Sequence, residues 1–79
     1  MTPTKGDLGD AFGQLLRELR SQAGLTQEEL AHRSGLHHTY ISLLERGLKS
    51  PSLDVIQSLA RALEKRPYQL IKAAEERQK

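Results

Sequence analysis

The stretch LTQEELAHRSGLHHTYISLLERG, residues 25–47, leaves this chain less freedom than any other segment. A helix opens with backbone N–H groups that have no partner inside it, so it needs a neighbour that accepts from them. Thr26 is such a neighbour, and Glu29 three residues on can reach back to the Thr26 backbone N–H, which makes a capping box. Leu25 before the cap and Leu30 in the following turn can close a hydrophobic staple over it. These signals predict a short helix over Gln27 to Ser34. Gly35 suits the left-handed residue that ends a helix, and Leu36 behind it can fold back on the apolar face. A second short helix is expected over about His38 to Arg46, with Gly47 as its stop.

Two short helices joined at a glycine turn make the helix-turn-helix arrangement, whose second helix is the usual reader of the DNA major groove. The flanking sequence supplies a bundle to hold them. Leu8, Phe12, Leu15, Leu16, Leu19 and Ala23 recur on one helical face, predicting a helix from about Leu8 to Ala23 with Gly24 as its stop. Gly9 and Gly13 each weaken that helix by ~1 kcal/mol relative to Ala, so its first turns are expected to fray. Residues 48–52 read as a loop, because Pro51 pushes Ser50 away from helical dihedrals. Ser52 can cap the next helix, and Asp54 complements its dipole. That helix, about Leu53 to Glu64, carries the stripe Leu53, Ile56, Leu59, Ala60 and Leu63. Pro67 suits the first position of a last helix, with Leu70, Ile71 and Ala74 facing inward. The expected organisation is a loose arm over residues 1–7, one domain over 8–76 and a fraying polar tail over 77–79. The arm is either simply disordered or touches DNA through Lys5.

Composition agrees with an all-α class and narrows the function. Aromatics are only 4% of the chain and β-branched residues are scattered, so the core must be built mainly of Leu, Ile and Ala. At 79 residues there is room for one domain and none for a ligand-sensing one, so no small-molecule effector is expected. With no cysteine, a thiolate metal site is impossible. His32, His37 and His38 have no carboxylate obviously placed with them, so no metal or other cofactor is expected. No apolar run reaches the ~20 residues that span a bilayer, and no signal peptide opens the chain; a cytoplasmic protein without a membrane partner is expected. Nor is there a nucleophile–base constellation or a phosphate-cradling glycine loop, which argues against an enzyme. Glu28 and Glu29 are adjacent, but on a helix they diverge. Net charge is +2, and residues 27–50 carry three basic and three acidic side chains, so bulk charge does not argue for DNA; individual positions must.

Those positions follow a known pattern. T-Q-E-E-L-A, S-G-L, T-Y-I-S-L-L-E-R-G, S-P-S-L and L-A-R-A-L, in that order between Leu8 and Ile71, are similar to the lambda-repressor-like (Cro/C1-type) helix-turn-helix proteins. The short chain and the string around Tyr40 resemble the controller proteins of restriction–modification systems. The resemblance implies a five-helix domain that binds a pseudo-palindromic operator as a homodimer, with the third helix in the major groove. It places a phosphate grip on Gln27, at the start of the second helix. It places base-reading positions on His38, Thr39 and Ser42, with Leu43 facing the same way; spacing independently sets these opposite Ile41 and Leu44. His38 can donate to guanine N7 or O6, Thr39 can use its hydroxyl or methyl, and Leu43 can touch a thymine methyl or pack. Tyr40 lies either against the DNA backbone or half-buried in the domain. Arg46, Gly47, Lys49 and Ser50 follow the third helix toward the phosphate track. Arg20 and Glu45 fall where the family often places an inner salt bridge, with the guanidinium partly offered to a phosphate. Val55, Tyr68 and Ile71 are candidates for the dimer interface, or else finish a small core. The function implied is a transcriptional regulator, with restriction–modification control preferred. An antitoxin, a phage-type repressor or a protein-interaction module that has lost DNA binding are the alternatives.

Overall fold

The computed structural model describes residues 7–78. Five helices follow one another: α1 Leu8–Gln22, α2 Gln27–Ser34, α3 His38–Glu45, α4 Leu53–Ala62 and α5 Pro67–Arg77. Among the described residues there is no strand, so the chain is all-α as composition and periodicity imply. α1 packs against α3 and α5, α2 against α3 and α4, and α4 against α5. Every helix contributes to one core, from Phe12 and Leu16 of α1 through Leu30, Ile41, Leu44 and Leu59 to Leu70 and Ala74 of α5. Among the described residues no helix is long and apolar enough to cross a membrane.

The ends of α2 and α3 form as their local chemistry requires. Glu29 N–H donates to Thr26 Oγ1 at 3.0 Å and Thr26 N–H donates back to Glu29 Oε1 at 2.8 Å. That backbone donor holds the Glu29 carboxyl below the usual carboxylate range. Gly35 takes φ 74° while Leu36 N–H donates to Ala31 O at 3.0 Å, so the turn closes with Leu36 packed on the core. Gly47 repeats the device at φ 73°, with Leu48 N–H donating to Leu43 O at 2.9 Å.

Several expectations need correction. Asp7 is not part of a loose arm: it caps α1, accepting from Asp10 N–H at 3.0 Å. The rest of the expected arm, Lys5 included, lies outside the described residues. The first turns of α1 are held as well by Gly13, which is buried against α3; a Cβ there would overlap the Leu44 carbonyl oxygen. Its intrinsic cost to the helix is therefore offset by a close backbone approach that only glycine permits. Leu8 is 42% exposed and Ala23 is exposed, so the apolar face of α1 is shorter than its spacing suggests. α4 stops at Ala62, two residues early. Pro67 forces Arg66 into extended dihedrals, and the chain reverses before it through Glu64 at φ 58°, with Lys65 N–H donating to Ala60 O at 2.8 Å. Leu53, assigned to the inward stripe, stands 79% exposed at the first turn of α4. The tail is helical through Arg77, which pairs with Glu18 and donates through Nε to Gln14 Oε1 at 3.1 Å. These contacts tie α5 to α1.

Candidate nucleic-acid interface

α3 divides its side chains sharply. Ile41 and Leu44 are 0% and 1% exposed, which anchors one side of the helix in the core. On the other side His38 and Thr39 are exposed and Ser42 is half-buried. Leu43 is half-buried too, yet it is not among the side chains packed against the core. Tyr40 is half-buried and does pack there, the domain-side reading of the two the sequence left open. Arg46, Gly47, Lys49 and Ser50 are all exposed where the chain leaves α3. Basic side chains there can meet a phosphate track while the helix enters a groove.

Behind α3 lies a polar brace. Arg20 Nε donates to Glu45 Oε2 at 2.7 Å and Arg20 Nη2 to Glu45 Oε1 at 3.0 Å, a bidentate pair that joins α1 to the end of α3. Arg20 Nη1 donates to Leu25 O at 2.8 Å, which ties the loop before α2 into the same cluster. The Glu45 side chain is only 3% exposed and that of Arg20 14%. Donating to the Glu45 carboxylate raises the Arg20 pKa above its ordinary value, against the opposing effect of burial. All three guanidinium nitrogens thus donate within the protein. The group braces the two helices, and the second N–H on each of Nη1 and Nη2 leaves capacity for the expected phosphate contact.

Gln27 joins the cluster from the first position of α2. Its Nε2 donates to Glu45 Oε1 at 3.0 Å. An amide nitrogen carries two hydrogens, so one N–H of the half-buried Gln27 remains for a ligand. Glu45 thereby sets which way the amide faces. The geometry leaves Gln27 capable of gripping a phosphate at the amino end of α2, with its orientation fixed in advance.

The dimer candidates do not behave alike. Val55 and Ile71 are half-buried and pack against the core, whereas Tyr68 is 64% exposed. Leu48 and Leu53 add exposed apolar surface, Leu53 against its assignment to the inward stripe. Among the described residues no group of His, Cys, Asp or Glu is placed to hold a metal ion. His37 is the functional candidate the sequence reading passed over. It caps α3, Thr39 N–H donating to its Nδ1 at 3.1 Å, and its ring stacks on that of His38. Histidine is not among the favoured caps, so nothing local to the sequence marks it.

Comparison with known proteins gives this geometry a context. A family model described as helix-turn-helix matches residues 16–70. The control protein C.BamHI of Bacillus amyloliquefaciens is 44% identical over 61 residues, covering 76% of this chain and 75% of that protein. The crystal structure of the restriction-modification controller protein C.AhdI from Aeromonas hydrophila superposes with a TM-score of 0.75 at 49% identity, covering 77% of this chain and 92% of that one. A third match, at TM-score 0.81 and 25% identity over 90% of this chain and 93% of that one, is the controller C.Esp1396I, crystallised as a tetramer with its natural 35 base-pair operator.

Proposed function

This chain belongs to the helix-turn-helix family of DNA-binding transcription regulators, as a Cro/C1-type member most like restriction–modification controller proteins, and on that premise we propose that it binds a pseudo-palindromic operator as a homodimer and controls a restriction–modification system. α3 enters the major groove, with His38, Thr39 and Ser42 at base edges and Leu43 beside them. Gln27 grips a phosphate from the amino end of α2, and Arg46 and Lys49 follow the backbone. Two-fold symmetry sets the half-site centres ~34 Å, one helical turn, apart. Tyr68, 64% exposed, is the centre of the dimer contact, with the half-buried Val55 and Ile71 contributing to it.

The observation that carries this reading is the division of α3. His38 and Thr39 are exposed and Ser42 is half-buried on its polar face, while Ile41, Leu44 and the Glu45 brace hold the opposite face. The complex of C.Esp1396I with its natural operator supports operator binding by a multi-chain assembly of this kind. Selection of binding sites from random duplex DNA, with stoichiometry measured on the recovered sequences, tests the proposal. Inverted repeats one turn apart, each bound by two chains, are expected. Recovery of no consensus, or of a consensus without two-fold symmetry, would overturn it.

A further inference from the structure

We propose that His37 is a positioning residue for base reading: its ring caps α3 through Nδ1 and holds the His38 ring by stacking. His37 sits at φ −83° and ψ 141°, just before the helix, and Thr39 N–H donates to its Nδ1 at 3.1 Å. A ring nitrogen that accepts a hydrogen bond carries no proton, so the neutral imidazole keeps its proton on Nε2. The cap therefore sets both the tautomer and the direction of the ring. Asn, Asp, Ser and Thr are the favoured caps and need only a few atoms; histidine caps here while presenting a flat face to its neighbour.

That face is occupied. The His37 and His38 ring centroids are 4.8 Å apart with the planes inclined by 24°. This lies within the range of favourable offset stacking. His38 is exposed, and among the described residues its ring makes no hydrogen bond, so the stack is what orders it. An exposed side chain otherwise exchanges rotamers within nanoseconds, and ordering it on DNA costs affinity. By ordering the ring beforehand, His37 lowers the cost of presenting His38 to a base edge. The inference rests on the reading that His38 contacts bases.

Two substitutions separate the cap from the stack. His37→Asn keeps an acceptor at the cap and removes the ring. Its thermal midpoint is expected within about 2 °C of wild type, since Asn caps well. Its preference for the selected operator duplex over a shuffled duplex of the same composition is expected to fall about three- to tenfold. His37→Phe keeps a flat ring without an acceptor. It should lose about 4–8 °C of thermal midpoint and keep the preference within about twofold of wild type. An Asn variant with undiminished preference, or a Phe variant that loses as much as Asn, would overturn the proposal. A test without DNA uses imidazole nitrogen spectra of the intact chain. The Nε2-protonated tautomer is expected at His37, together with His38 ring protons that shift in His37→Asn; a proton on Nδ1 would overturn the cap. If the wild-type chain bound no duplex, the DNA-binding reading would fall and take this role with it. Binding by wild type with an unchanged Asn variant would remove this role alone.

Discussion

The two faces of α3 are built to opposite rules. The inner face is held several times over: Ile41 and Leu44 are buried, Glu45 accepts from Arg20 and Gln27, and Gly13 lets the α1 backbone approach the Leu44 carbonyl. The outer face is tied only at its start, by the His37 cap and stack, and among the described residues the Thr39 and Ser42 hydroxyls make no hydrogen bond within the protein. The difference teaches how eight residues can be both part of a core and a reading surface. Rigidity comes from contacts that reach across the fold, and this leaves the hydrogen-bonding capacity of the exposed face for a ligand.

Breaking the inner face should cost the most. Glu45→Ala leaves a largely buried guanidinium with only Leu25 O and deprives Gln27 of its acceptor, so unfolding in urea should show a loss of about 3 kcal/mol. A loss under 1 kcal/mol would mean that the brace is dispensable. Gly13→Ala comes next, at about 1–3 kcal/mol, because the new methyl meets backbone and α1 must move off α3. Gly9→Ala is the control: its methyl meets the movable Ser50 hydroxyl, and stability should stay close to wild type. The outer face should respond in binding and leave folding alone. His38→Ala is expected to cost ~1–3 kcal/mol on the selected operator and little on random duplex, whereas Gln27→Ala should weaken both alike. Equal losses for His38→Ala on both duplexes would take it out of base reading. The smallest effect concerns acid. The Glu29 pKa is lowered in the fold, so its contribution is present above its ordinary value of 4.5 and is lost as pH falls through the lower folded value. Glu29→Gln should flatten that part of the stability–pH curve; an unchanged slope would assign the acid sensitivity elsewhere. The raised pKa of Arg20 acts in the other direction: its contribution is lost only as pH rises through a folded value above the ordinary arginine range, so it adds no slope near neutrality.

Much of this was legible in the residues themselves. The capping box of Thr26 and Glu29, the left-handed glycines at 35 and 47, the Ser52 cap and Pro67 at the head of α5 all act within a few residues, so a linear reading finds them. The alternation that buries Ile41 and Leu44 while exposing His38 and Thr39 is equally local. Periodicity misled where it could not see the end of a neighbour. Leu8 and Leu53 keep helical spacing, yet each lies in the first turn of its helix and points beyond the packed core.

The sequence by itself determined the five helices, their boundaries to within a turn, and which side of α3 faces water. Short-range hydrogen bonds and the helical repeat suffice for that. Only the tertiary structure decided what Gly13 and Gln27 do; the Arg20–Glu45 pair is already implied by the family resemblance, and the fold adds its bidentate geometry. Gly13 matters because another helix's backbone lies against it. Gln27 is aimed by a carboxylate 18 residues away, and Arg20 pairs with the same carboxylate, 25 residues from it. His37 is a different case: its partners Thr39 and His38 are chain neighbours, but histidine is not a favoured cap, so the local sequence does not mark the role. The roles of Gly13, Gln27 and Arg20 depend on which groups meet in space, and such meetings belong to the packing of the whole chain.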